Sequence, residues 1–218
     1  MEKRKVSYPL YLTAFLLSAA VFAIGVFVGM LFDNSALAGL NERVATLSQR
    51  STSVQLLLLM EGNSSAYCPV FRSELMAIDG DIERIGYELT FMEEKKQAYD
   101  LELKRQYFLL EAGSYELAKK VGELCGNEEH LLLYFYSNKD CGSCMKQGEE
   151  ILNARNSLED GGAMLRIYSF DGEIESPVAE ALMAKYGITE YPSVVVDGTL
   201  HSGYADMQAL LGLVQDEG

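Results

Sequence analysis

From Tyr8 to Phe32 the chain carries no charged residue: YPLYLTAFLLSAAVFAIGVFVGMLF. A bilayer core takes about 20 apolar residues as a helix, and this run is longer than that. It offers water no polar face, so residues 1–33 are expected to be a short cytoplasmic tip followed by a membrane-spanning helix. Gly25 and Gly29 form a small-xxx-small pair, the spacing that lets two such helices approach. Lys3, Arg4 and Lys5 precede the run, which puts the N-terminus in the cytoplasm and everything after Asp33 outside. A rival reading is a cleaved signal peptide, with Ala36-Leu37-Ala38 as the small-residue site. Signal peptides use apolar runs of only about 7 to 15 residues. Either reading exports the rest of the chain.

The composition is otherwise that of an ordinary globular protein. The 218 residues are 49% apolar and 23% charged, which excludes low-complexity disorder for most of the chain. A net charge of −14 and no basic patch beyond the first five residues exclude a nucleic-acid partner. Four cysteines, Cys68, Cys125, Cys141 and Cys144, make an even set that suits disulfides in an oxidising compartment.

Residues 34–126 read as helical. Leu40, Val44, Leu47, Ser51, Val54 and Leu58 recur at coiled-coil spacing. The stripe fits a stalk helix that pairs with a second copy of itself, or one that packs on its own domain. The breakers of EGNSSAYCP, Glu61 to Pro69, end that helix, and Asn63-Ser64-Ser65 is a glycosylation sequon. Ile82, Ile85, Leu89 and Met92 then share one helical face, and EEKKQ is a solvated one. One helix is expected to end near Gly113 and another at Gly126, with glycine as C-cap. The result is a helical hairpin or small bundle.

From Leu131 the rhythm changes, and 127–218 reads as an α/β domain. LLLYFYS is a short apolar run suited to a strand buried on both faces. Met145–Leu158 reads as a helix and Ala163–Phe170 as a second strand. Ser176, Pro177 and Gly187 mark the start and stop of another helix. PSVVVDGTLHSGY reads as a hairpin about Asp197-Gly198, and a last helix closes the domain. The order is β-α-β-α-β-β-α. The first two strands, joined through a helix, should be parallel with a right-handed crossover.

That order, with Cys141-Gly142-Ser143-Cys144 at the first strand–helix junction and Tyr191-Pro192 opening the third strand, resembles the thioredoxin superfamily in its minimal form. The resemblance implies a thioredoxin-like fold and a cis Pro192 packed beside the cysteines. It implies that Cys141 is the nucleophile, that Cys144 resolves the mixed disulfide, and that Tyr191 and Pro192 shape the substrate groove. Gly142 and Ser143 form the active-site loop. That dipeptide matches neither the Gly-Pro of reducing members nor the Pro-His of oxidising ones, so the direction of electron flow stays open. Members also carry a buried acid in the strand before the motif, and LLLYFY has none.

The placement has a chemical reason. Thiolate is the reactive form, and a helix N-terminus favours it. Asp140 opposes thiolate formation, while Lys139 and Lys146 assist it. Zinc needs about four ligands, but a strand of roughly 20 Å keeps Cys125 and His130 away from the motif, so no metal is expected. The same distance leaves Cys68 as the partner of Cys125, with an intermolecular bridge or two free thiols as alternatives. Closing that loop would add on the order of 4 kcal/mol. The expected function is a membrane-anchored, extracytoplasmic thiol–disulfide oxidoreductase without a cofactor. Its partners would be protein thiols or disulfides, or a membrane redox protein. The alternative is a non-catalytic envelope scaffold.

Overall fold

A computed structural model describes residues 8–60, 65–96, 100–126 and 129–215, with the side chains of 8, 10, 28–37, 94–96 and 215 excluded. The charged tip and the sequon's Asn63-Ser64 lie outside the described residues. The chain divides into two compact units, Met1–Arg43 and Val44–Gly218. Helix α1 (Tyr8–Met60) is unbroken, so the apolar run and the stalk are one helix. In the first unit the large apolar side chains from Tyr11 to Phe27 are exposed, Phe22 at 74%. Among the described residues no helix is long and apolar enough to cross a membrane.

In the second unit a 3-10 turn, Ser65–Tyr67, leads into α2 (Cys68–Lys96) and α3 (Leu101–Cys125). Asp100 caps α3 by accepting the Leu103 N–H at 3.0 Å. Cys68 and Cys125 are joined, with Cα atoms 5.6 Å apart, which ties the start of α2 to the end of α3. Val44, Leu47, Ser51 and Val54 are buried within this unit, so the stripe is used inside the chain. The expected helix end at Gly113 is wrong. Helix α3 runs through it, and Gly113 marks a close approach instead. A Cβ there would meet Gln55 Nε2 at 3.2 Å, and that amide donates to the Gly113 carbonyl at 3.2 Å.

Strands β1 (Glu129–Tyr136), β2 (Met164–Asp171), β3 (Ser193–Val196) and β4 (Thr199–Ser202) form a mixed sheet in the order β2-β1-β3-β4. Helices α4 (Cys144–Asp160), α5 (Pro177–Tyr186) and α6 (Met207–Gln215) complete the expected β-α-β-α-β-β-α. β1 pairs parallel with β2 and antiparallel with β3. The hairpin turns on Asp197 (φ 49°) and Gly198 (φ 98°), two left-handed residues as a type I′ turn requires.

β1 is buried from Leu131 to Phe135. Leu132 and Tyr134 face α4 and α6, in a core with Ile151, Val194, Val196 and Leu210. On the other face Phe135 stacks on Phe170, which in turn meets Phe108 of α3; both pairs have ring centroids 5.5 Å apart. The outer side of β2 carries a buried polar network. Arg166 pairs with Glu129 and with Asp79 of α2, and Asp79 also accepts from Ser114 of α3. Burial raises the Asp79 pKa against the pull of Arg166. Glu111 of α3 is 3% exposed and accepts from the Tyr107 hydroxyl and the Ser169 backbone N–H, while its Oε2 is buried without a partner. Burial, more than the nearby Asp79, pushes its pKa from 4.5 to about 8.

Glu111 therefore makes stability depend on pH. The folded chain holds the Glu111 proton more tightly than the unfolded chain does. The resulting stabilisation is full below 4.5 and is lost as pH rises through about 8. Every tenfold gain in proton affinity on folding is worth about 1.4 kcal/mol. Urea unfolding from pH 5 to pH 9 should show falling stability in the native sequence and a flatter profile in Glu111→Gln. Equal slopes in the two proteins would refute this account.

Candidate functional site

β1 ends at Tyr136, and the chain turns through Ser137–Asp140 before the cysteines. Ser137 is buried, and its Oγ accepts the N–H groups of Lys139 (3.1 Å) and Asp140 (3.4 Å). This local pattern curls the loop back towards the helix start. Cys141 and Cys144 are joined in a disulfide, with Cα atoms 5.4 Å apart. Cys144 is the first residue of α4 and is 6% exposed, while Cys141 is half-buried. The helix begins one residue before the Met145 expected from the sequence, and Cys141 lies ahead of it. Ser143 is the N-cap, without a side-chain capping bond, and the Cys144 N–H reaches the Cys141 carbonyl at 3.4 Å. Cys141 therefore occupies the turn in front of the first helical N–H groups.

Three contacts fix this turn to the sheet and to α6. The Tyr134 hydroxyl donates to the Cys144 carbonyl at 2.6 Å. Gln147, fully buried, donates to the Ala205 carbonyl (3.0 Å) and accepts the Ala205 N–H (2.7 Å). Glu150 accepts from the Tyr204 hydroxyl (2.9 Å) and the Met207 N–H (3.1 Å). The Tyr191–Pro192 peptide bond is cis. Ser193, the next residue, pairs with Phe135 on β1, so Pro192 lies at the end of the sheet where the cysteine loop leaves. Pro192 is buried, and its carbonyl accepts the Gly203 N–H at 2.9 Å.

Both lysines expected to favour a thiolate have other partners. Lys139 faces Glu173 at 3.7 Å, and Lys146 sits over the Tyr204 ring, 4.6 Å from its centroid. Asp140 is exposed. The chain does bring an acid to the site, from a neighbouring strand. Asp171, at the end of β2, is 2% exposed and accepts from the Asn138 amide at 2.9 Å and the Glu173 N–H at 3.0 Å. Asp171 closes an apolar strand, and that position alone was its signal in the sequence. Gln147 and Tyr134 gave no signal, because their partners depend on the fold.

At the opposite end of β1, His130 Nδ1 lies 2.7 Å from Asp197, whose other oxygen accepts the Leu131 N–H at 2.8 Å. Among the described residues no group of three or more His, Cys, Asp or Glu is placed to hold a metal ion.

No protein family and no curated protein matches the chain. Solved structures with some likeness include a thioredoxin-2 of the malaria parasite, described as a component of its protein secretion machinery. It is 17% identical, with a TM-score of 0.32, over 40% of this chain and 82% of that one. The first thioredoxin domain of mouse protein disulfide-isomerase A4 is 19% identical, also with a TM-score of 0.32, over 45% of this chain and 69% of that one. Likeness at that level is too slight to rest on; the strand order and the disulfide stand independently of it.

Gln147→Leu should weaken the site's support. It leaves the Ala205 N–H and carbonyl facing a buried apolar side chain, at about 1–3 kcal/mol for each unpaired group. Urea unfolding should show a loss on the order of 3 kcal/mol, and a loss under about 1 kcal/mol would mean that water replaces the amide.

Proposed function

We propose that the protein is a membrane-anchored thiol–disulfide oxidoreductase and that Cys141–Cys144 is its working couple. The observation that carries the reading is a disulfide at a strand–helix junction, between a half-buried Cys141 and a buried Cys144, with a buried proline, Pro192, opening the adjacent strand at the same end of the sheet. In the reducing direction the Cys141 thiolate attacks a substrate disulfide. A mixed disulfide forms and one substrate thiolate leaves. The Cys144 thiolate then attacks Cys141 Sγ, the second substrate thiol leaves, and two electrons have passed from the cysteine pair to the substrate. Oxidation of a substrate dithiol is the same path in reverse. The N–H groups at the start of α4 and its dipole stabilise the Cys141 thiolate.

Anchoring by residues 8–32 is part of the proposal. Its support is the uncharged run and the exposed apolar side chains from Tyr11 to Phe27. Lys3, Arg4 and Lys5 orient the C-terminal unit outwards. Extraction of the native protein from membranes at alkaline pH tests the anchor, and release into the soluble fraction would count against it.

The chemistry has a direct test. Reduced Cys144→Ser should hold a substrate as a stable mixed disulfide, and Cys141→Ser should hold none. Equilibration with glutathione then gives the potential of the couple. A value near about −270 mV marks a reductase and one near about −120 mV an oxidant. If neither variant forms a mixed disulfide and insulin reduction is the same with and without Cys141, the domain is a scaffold with an inert bond.

A further inference from the structure

We propose that Gly172 is a positioning residue for substrate binding: it is the socket that seats the Tyr191 ring and so sets the main chain of Tyr191 at the end of the sheet where the cysteine loop leaves. The inference rests on the exchange reading above and adds to it a residue outside the cysteine loop.

Gly172 lies in the turn after β2. A Cβ built on it would overlap Tyr191 Oη and Cζ and stand 2.6 Å from Cε1, closer than any real contact. Its φ lies outside the left-handed region, so the glycine is needed for space and not for backbone freedom. The Tyr191 hydroxyl donates to the Met183 sulfur of α5 at 3.3 Å. The ring is thus held between this turn and α5, and the part of residue 191 left to meet a substrate is its main chain. A main chain at the head of a strand recognises another extended main chain, with little regard for side chains.

The same turn also braces the cysteine loop. The Gly172 N–H donates to the Tyr136 carbonyl at 2.9 Å, Asp171 accepts from Asn138, and Glu173 faces Lys139. Residues 171–173 therefore touch both halves of the site, the loop that carries Cys141 and the residue before Pro192. A Cβ at 172 would push the ring out of this seat and so release the hold on residue 191.

The test uses the full chain in detergent and three variants: Gly172→Ala, Tyr191→Ala and the pair together. Insulin is the polypeptide disulfide and oxidised glutathione the small one. Gly172→Ala should raise KM for insulin on the order of tenfold, the scale of misplacement by an ångström or less, with a smaller change in kcat and in glutathione turnover. The methyl carbon signal of Met183 should shift as the ring leaves. The double variant should lose no more than Tyr191→Ala alone, because the new methyl then has room. If Gly172→Ala does not fold, Tyr191→Ala carries the test, with the same rise in KM and the same shift at Met183.

An insulin KM within about twofold of the native value in a folded Gly172→Ala overturns the inference, as does multiplication of the two single losses in the double variant. Native protein that turns over glutathione while Gly172→Ala behaves like it sinks the socket alone. Native protein that turns over neither disulfide sinks the exchange reading and the socket with it.

Discussion

Leu131 to Phe135 is the constraint from which the second unit is built. Five consecutive buried residues on one strand leave no face for water, so both sides of the sheet must be covered. Helices α4 and α6 cover one side through Ile151 and Leu210. On the other side the Phe135–Phe170–Phe108 contacts draw in α3, and α3 brings α2 with it. The helical hairpin is therefore part of the sheet's core, which explains why Val44–Gly218 forms a single unit. The strand also fixes the site. Its C-terminal end is where apolar sequence stops, the backbone turns, and a helix can begin with its N–H groups facing outwards.

The elements with a local code were legible from sequence. Asp197-Gly198 made the hairpin, Gly187 (φ 72°) and Gly126 (φ 86°) ended helices, and the cysteine spacing fell at the strand–helix junction. Gly113 misled because a glycine inside a helix and one that ends it look alike in sequence; only the approach of Gln55 separates them. The start of α4 was legible to within one residue, Cys144 against an expected Met145, because the cysteine loop's glycine and serine end where the helical pattern begins. The contacts that hold the site were not legible at all. Tyr134 to Cys144, Gln147 to Ala205 and Asn138 to Asp171 link groups that only the folded sheet brings together.

The polar network on β2 answers a different need. An edge strand exposes main-chain groups that invite pairing with other chains. Here the Glu111 carboxyl feels the Ser169 backbone, and Arg166 reaches to α2 and to β1. One guanidinium serves two carboxylates, and burial raises the pKa of Asp79 despite it. Buried ions are expensive to desolvate, so this arrangement adds little net stability. What it adds is geometry. Arg166 meets Glu129 and Asp79 together in one register of the hairpin against the strand, whereas an apolar contact would tolerate sliding.

The same contrast between cohesion and aim applies at the cysteines. Lys139 and Lys146 have partners in Glu173 and Tyr204, so the case for a reactive thiolate leans on the backbone at the start of α4. Backbone dipoles act only over the first turn, which makes the position of that turn decisive. Within the first turn of α4, Cys144 is held by the Tyr134 hydroxyl and Gln147 by the backbone of Ala205, while Asn138 bonds to Asp171 and Gly172 to Tyr136 at the neighbouring strand ends. A shift of the helix start by one residue would break the first two bonds. The site is therefore held by hydrogen bonds rather than by charge. Raising the salt concentration, which screens exposed ion pairs such as Lys139–Glu173, leaves those bonds in place.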